Sequence, residues 1–247
     1  MGRRNINFKI RLIMEILPAK FKSDNIVSVN IIADIHGNFD SEKILRISEE
    51  RGISEIFILG DFSPHGSIGS LENVENFLKT LALHRKIYAI PGNCDGREIL
   101  KIFAQFKINY HGKTGSVAGI DVDFIFFGGS NITPFNTVFE YREDEIYKAL
   151  KKLFEGARSD RKILLTHCPP FNTKCDFANG RHVGSTAIRK LTEEFQPEIN
   201  FCSHVHECYG KEDFIEKTRI VNVGELRKGG VILKCGKDKF ETERINF

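Results

Sequence analysis

Apolar positions along the chain gather into short continuous runs, and the stretches between several of them are amphipathic. The runs at 26–33 (IVSVNIIA), 55–60 (EIFILG), 86–90 (KIYAI), 120–129 (IDVDFIFFGG), 162–167 (KILLTH), 199–204 (INFCSH), 219–224 (RIVNVG) and 229–235 (GGVILKC) have the length and residue types of strands. Several are apolar at successive positions, so both faces need cover from helices or from a second sheet. Helical periodicity appears at 40–51, 71–83, 96–106, 142–155 and 186–195. Strand and helix alternate through the first half, which predicts parallel βαβ units, whereas the last third is richer in strands. The charged C-terminal stretch GKDKFETERINF reads as a solvated edge strand or as a tail.

The ends of these runs carry residues that burial alone would not select. Asp34 and His36 follow the first run, Asp61 the second and Asn93 the third, while His167, His204 and His206 close two later ones. In open α/β sheets, ligands bind at the carboxyl ends of strands, so these separate segments converge on one edge. Strand alternation would place Asp34 with His36, and His204 with His206, on a common side. Gly37, Gly60 and Gly92 lie next to these residues, where the backbone must turn tightly or approach closely. Imidazole, carboxylate and amide oxygen in one place suit divalent ions of borderline hardness.

Composition narrows the picture without changing it. A chain of 247 residues, 41% hydrophobic and 28% charged, can bury a substantial core. No linker divides it, so residues 26–247 read as one domain and residues 1–25 as an N-terminal extension. That extension (MGRRNINFKIRLIMEILPAKFKSD) reads as an added strand or short amphipathic helix, as a membrane-surface or partner-binding arm, or as a leader to a start at Met14. The net charge of +3 is too small to argue for a nucleic-acid partner. Cys94, Cys168, Cys175, Cys202, Cys208 and Cys235 are scattered with no CxxC pair, as expected of reduced thiols in a cytoplasmic protein. No apolar run reaches the ~18–20 residues of a membrane span.

The order ADIHGN, LGDFSPHG, PGNCDG, LLTHCPP and CSHVHE resembles the calcineurin-like metallophosphoesterase superfamily, over residues 26 to about 235. GGSNITPF (128–135) and THCPPFNTKCDFANGRHVGSTAIR (166–189) resemble a small stand-alone prokaryotic branch with the GNCD motif. The resemblance implies a four-layer αββα sandwich, with two mixed β-sheets flanked by helices. It also implies two divalent ions, manganese foremost, with iron, zinc, nickel, cobalt or magnesium as alternatives. Asp34, His36 and His206 would hold one ion, Asn93, His167 and His204 the other, and Asp61 both. A hydroxide shared by the ions would attack phosphorus in line. The expected substrate is a small phosphate ester, a nucleotide-type diester before a monoester or phosphoprotein, and a non-catalytic scaffold is the rival from another class. Asp61, Asn93, Asp95 and His167 are the expected catalytic residues.

Departures from the pattern shape this expectation. Many phosphatases of the superfamily read GNHE, whose histidine protonates the leaving oxygen; here Cys94 takes that place and Asp95 follows. A thiol with an ordinary pKa near 8.5 is a poor acid for this purpose, which tilts the expectation towards diesters or activated leaving groups. Asp95 is then expected to orient an imidazole or a water. Ser203 replaces the usual glycine before HxH, and NVG (222–224) replaces NPG. Asn38 reads equally as a loop anchor or a substrate contact. His65, His182 and Arg97 are weighed as substrate contacts against surface or turn positions, Asn131 and Thr133 as pocket rim against plain turn residues. Arg189 reads as a salt-bridge partner on a helix. A homo-oligomer is compatible with the pattern but not required by it.

Overall fold

The computed structural model describes residues 26–63, 71–237 and 239–247. The N-terminal extension and His65 lie outside the described residues. One sheet is formed by β1 (Val27–Ile32), β2 (Glu55–Leu59), β3 (Lys86–Ile90), β14 (Gly230–Cys235) and β15 (Phe240–Ile245). These five strands lie in the order β15-β14-β1-β2-β3. β1, β2 and β3 run parallel, and β14 and β15 add antiparallel strands at one side. The second sheet is formed by β4 (Lys113–Gly115), β5 (Asp123–Phe127), β8 (Lys162–Thr166), β11 (Ile199–Cys202), β12 (Glu212–Ile215) and β13 (Thr218–Asn222). Its six strands lie in the order β12-β13-β11-β8-β5-β4. The four inner strands are parallel, and β4 and β12 are antiparallel edges. Two short ladders pair β6 (Ser130–Asn131) with β7 (Glu140–Tyr141) and β9 (Phe177–Ala178) with β10 (Arg181–His182).

The double-sided apolar runs are explained by the layers. Ile31, Phe57 and Tyr88 share a row of the first sheet and point at the second, where Phe124, Phe126, Leu165 and Phe201 meet them. The alternate positions Ile32, Ile58 and Ala89 pack against α1 (Ser41–Glu50), α2 (Leu71–His84) and α3 (Ile99–Gln105). On the second sheet, Ile125, Phe127 and Leu164 meet α4 (Glu143–Gly156) and α5 (Thr186–Phe195). Helices, sheet, sheet and helices therefore stack as the expected αββα sandwich. Phe57 sits at the centre, edge-on to Tyr88, Phe124 and Phe126 at 4.8, 5.0 and 5.2 Å between ring centroids. Truncating it to alanine would cost about 3–5 kcal/mol.

Local chemistry sets the helix ends. Asp40 accepts from the Lys43 amide at the start of α1, and Ser185 accepts from the Ile188 amide at the start of α5. The periodic segment 96–106 is helical only over Ile99–Gln105, because the turn through Gly96 precedes it. The charged C-terminal stretch is an edge strand, β15, paired with β14. The edge strands β4 and β12 escape the apolar-run criterion because their residues are polar or half exposed.

Candidate metal centre

The carboxyl ends of β1, β2, β3, β8 and β11 meet at one edge of the sandwich. Beyond the strands, the loops continue to pair. The amides of Asp34, His36 and Gly37 donate to the carbonyls of Gly60, Asp61 and Phe62, and the Ser203 amide donates to His167. Here the structure corrects one expectation. Asp34 and His36 lie past the end of β1, so strand alternation does not align them. Both are left-handed, with φ of 46° and 41°, as are Asp61 at 54° and His204 at 67°. Non-glycine residues enter this region at a cost of roughly 1–2 kcal/mol each, and such strain gathers at functional sites. His206 opens a short 3-10 turn, His206–Cys208. Two of the glycines have a steric reason: a Cβ at Gly60 would strike the Gly92 backbone, and one at Gly92 would strike Asp61.

Two clusters result, Asp34 with His36 and His206, and Asp61 with His167 and His204, the ligand atoms of each within 4.8 Å of one another. His36 Nε2 lies 3.3 Å from His206 Nε2, which in turn lies 3.4 Å from Asp34 Oδ2. Asp61 Oδ2 reaches both clusters, 3.6 Å from His36 Nε2 and 3.5 Å from His167 Nε2. Asn93 joins the second cluster through Oδ1, 3.0 Å from His167 Nε2. His167 Nδ1–H donates to the Leu59 carbonyl at 2.7 Å, which turns the lone pair of Nε2 inward.

These residues fit a pair of cations. Asp34 Oδ1 is buried and has no hydrogen-bond partner, an arrangement that costs free energy unless a cation or proton meets it. The Nε2 atoms of two imidazoles face each other at 3.3 Å, close enough to share a cation or a proton. The charge balance of the cage points the same way. Burial opposes ionisation of Asp61, but the imidazoles of His167, His36 and His204 outweigh it and hold its pKa far below the carboxylate range. Burial pulls His167 down, yet Asp61 and Asp34 raise it to about 9. Burial, with His167 nearby, pushes His204 down to about 4.

Other expected residues are placed differently. Among the described residues, Asp95 meets no imidazole. Its buried carboxylate accepts from the amides of Asp61, Phe62, Ser63 and Gly92 at 2.7–3.2 Å, and so clamps the Asp61 loop to the Gly92 turn. Burial and the Asp61 carboxylate raise its pKa, against the pull of those amides. Cys94 donates its amide to Asp61 Oδ1 at 2.9 Å, and burial drives its thiol pKa well above the usual range. Asn38 sits in the turn after Ile35, whose carbonyl its amide meets at 2.8 Å. Arg97 is exposed ahead of α3. Arg189 pairs with Glu193 at 2.6 Å. Asn131 donates to the Val183 carbonyl, and Thr133 donates to Glu140 at 2.5 Å. His182 Nδ1 meets the buried Asp176 carboxylate at 2.7 Å.

Three supporting residues, Thr137, Glu140 and Glu225, leave no signal in the sequence, and Ser203 shows there only as a departure from the family pattern. Thr137 donates its hydroxyl to Glu140 at 2.5 Å and accepts from Asn93 Nδ2 at 2.9 Å, so Asn93 Oδ1 must face the cage. The Ser203 hydroxyl donates to Asp34 Oδ2, which gives the departure from glycine a positive role. Glu225 lies 3.7 Å from His206 Nδ1 and is shared with Arg227 and Lys228. One further signal was available: the Asn-Gly pair of FANGRH forms the turn between β9 and β10, with φ of 51° at Asn179 and 77° at Gly180. Positive φ at both central residues makes it a tight hairpin.

The sequence model of the calcineurin-like phosphoesterases matches residues 27–208. The chain belongs to that family. An uncharacterized protein of Methanocaldococcus jannaschii, MJ1162, is 34% identical over 199 residues, 77% of this chain and 85% of that one. Among solved structures, TT1561 of Thermus thermophilus is similar with a TM-score of 0.70 at 19% identity, covering 89% of this chain and 99% of that one. A dimetal phosphatase from Danio rerio is similar with a TM-score of 0.64 at 10% identity, covering 89% and 96%. At these identities, the two structures speak to the fold alone. The family membership and the two Asp/His clusters support a binuclear active site of hydrolase type.

Proposed function

We propose that this calcineurin-like phosphoesterase hydrolyses small phosphodiesters, and that it belongs with the stand-alone GNCD-type enzymes of the family. The observation that carries the reading is Asp61, whose carboxylate stands between the two clusters. Asp34, His36 and His206 would hold one divalent ion and Asn93, His167 and His204 the other, with Asp61 serving both, and manganese is the favoured metal. When bound, such ions supply Lewis acidity and a water ionised near neutral pH.

The chain's own part is positioning. Asp95 fixes the Asp61 loop, Thr137 fixes the rotation of Asn93, and Leu59 fixes the tautomer of His167. Cys94 offers no useful proton at neutral pH, since burial and the Asp61 and Asp95 carboxylates raise its thiol. The reaction therefore suits esters whose leaving group departs without an acid. Residues 26–247 act as the functional unit, in the cytoplasm, without a nucleic-acid partner.

The test compares bis-p-nitrophenyl phosphate with p-nitrophenyl phosphate, using protein loaded in turn with Mn²⁺, Ni²⁺, Co²⁺, Zn²⁺ and Mg²⁺. Faster turnover of the diester, highest in Mn²⁺, is expected. Preference for the monoester would overturn the diester assignment, and inactivity in every metal with no ion retained would overturn the enzyme.

A further inference from the structure

A cavity of ≈ 580 Å³ opens beside the cage and shares His204 with it. That volume falls in the range of small-molecule sites, about 300–1,000 Å³. Its walls are unlike the cage. Ile132, Phe135 and Phe171 line it with 63%, 78% and 36% of their surfaces exposed, a high value for large apolar groups. Arg181 brings to the same wall an exposed guanidinium with no hydrogen bond or ion pair among the described residues. His182 adds a polar group of fixed orientation. Its Nδ1 is tied to Asp176, and its ring lies edge-on to Phe171 at 5.7 Å and to Phe177 at 5.1 Å.

Resting on the phosphoesterase reading above, we infer that this cavity holds the organic group of the ester, and that this group is a planar aromatic ring system of nucleobase size. Exposed phenylalanines stack on flat rings of any kind. The adjoining His204 places the phosphate end of such a ligand at the cage, and the unpaired guanidinium of Arg181 complements an anionic ligand. The Asp176 carboxylate holds the His182 ring through Nδ1, which leaves Nε2 to meet a polar group on the edge of a bound ring.

The test uses neutral probes, which the metals do not attract, on the full chain loaded with Mg²⁺. Saturation-transfer NMR follows adenosine, phenol and methyl β-riboside. Saturation of the aromatic protons is expected for the first two and none for the riboside. Adenosine should bind tighter than phenol, and the reverse order would overturn the nucleobase size. Phe135→Ala and Phe171→Ala should each weaken the aromatic probes by about tenfold. In the Mn²⁺-loaded chain, adenosine should compete with bis-p-nitrophenyl phosphate, raising KM without lowering kcat. Normal hydrolysis with no aromatic saturation, or with saturation unchanged in both variants, would overturn the inference and leave the phosphoesterase reading intact. Variant-sensitive saturation in a chain that hydrolyses no ester in any metal would support the aromatic site and overturn the phosphoesterase reading instead.

Discussion

The two halves of the cage share Asp61 and use the same kinds of ligand, yet they are built differently. The His167 side chain has no exposed surface, whereas His36 and His206 expose 18% and 35% of theirs. In the buried half, three of the four ligands are held from behind: His167 by the Leu59 carbonyl, Asn93 by Thr137, and the Asp61 loop by Asp95, while half-buried His204 faces the neighbouring cavity. In the open half, Ser203 secures Asp34, and the Ser63 carbonyl lies 3.3 Å from His36 Nδ1. Glu225 stands only within 3.7 Å of His206 while also meeting Arg227 and Lys228. Like ligand types therefore do not make like sites. The buried half is preorganised and should bind its ion first and tightly, and the open half should exchange its ion and admit substrate.

The largest effect should come from the shared carboxylate. Asp61→Asn keeps the shape and removes the charge that both halves use. Activity should fall roughly a thousandfold, and elemental analysis should show both ions depleted. Depletion of one ion alone would show that Asp61 serves a single half.

Next come single-half variants, read by calorimetric titration of Mn²⁺ into the metal-free chain. Two steps of unequal affinity are expected. His167→Gln should weaken the tight step by about 100-fold, and His206→Gln the loose step by about tenfold. If the steps respond in the opposite order, the ranking of the halves by burial is wrong.

Much of this plan was legible in the sequence, for identifiable reasons. The strands were visible because Phe57, Tyr88 and Phe126 sit in runs that are apolar on both faces, a pattern that only a multilayer fold explains. Asp34, His36, Asp61, Asn93, His167, His204 and His206 were visible because each breaks or follows such a run. Their geometry was not. The left-handed turns at Asp34 and His36 leave no trace in periodicity, so strand alternation offered the wrong reason for a correct pairing. Thr137 and Glu140 were hidden because Thr137 acts on Asn93 across 44 residues of sequence separation, with Glu140 holding Thr137 from behind, and both look like ordinary turn residues. Asp95 looked catalytic by position, but its partners are backbone amides, which sequence does not display.

Thr137 offers the next test, because it supports the buried half without touching an ion. Thr137→Val preserves volume and removes both hydrogen bonds, freeing the Asn93 amide to turn its nitrogen inward. Affinity for the tight ion should fall by about tenfold, and Thr137→Ser should restore it. An unchanged tight step in the valine variant would mean that Asn93 needs no outside orientation.

Acidity provides a smaller effect on the same half. In the metal-free chain, His167 is raised from 6.5 to about 9, with burial opposing and the Asp61 and Asp34 carboxylates driving the shift. A group whose folded pKa is raised stabilises most below its unfolded value. That contribution should be complete below pH ~6.5 and lost as the pH rises through ~9. The metal-free Tm should fall by about 5 °C over this interval, and His167→Gln should flatten the slope. Ion binding displaces the same proton, so affinity at the tight step should rise over the same range. A metal-free Tm that rises with pH there would reverse the assignment.

The smallest effect probes the seam between the halves. Cys94 binds Asp61 through its amide and lies 3.4 Å from Asn93 Nδ2 through its sulfur, so it borders the buried half without ligating in it. Its thiol, raised by burial and by the Asp61 and Asp95 carboxylates, is a poor proton donor at neutral pH. An imidazole at this position would sit among the same carboxylates, which favour its protonated form, and would carry a proton towards the leaving oxygen. An evolved acid is worth about 10²–10⁴-fold, but an imidazole grafted into a half-buried turn, with no partner to hold its ring, should deliver only about threefold. Cys94→His should therefore raise turnover of unactivated alkyl phosphomonoesters slightly, leave p-nitrophenyl esters unchanged because nitrophenolate departs without help, and leave both steps of the metal titration in place. A gain on the activated esters as well would point to a change in the ion sites, and no gain on any ester would show that a missing acid is not what sets this chain's choice of substrate.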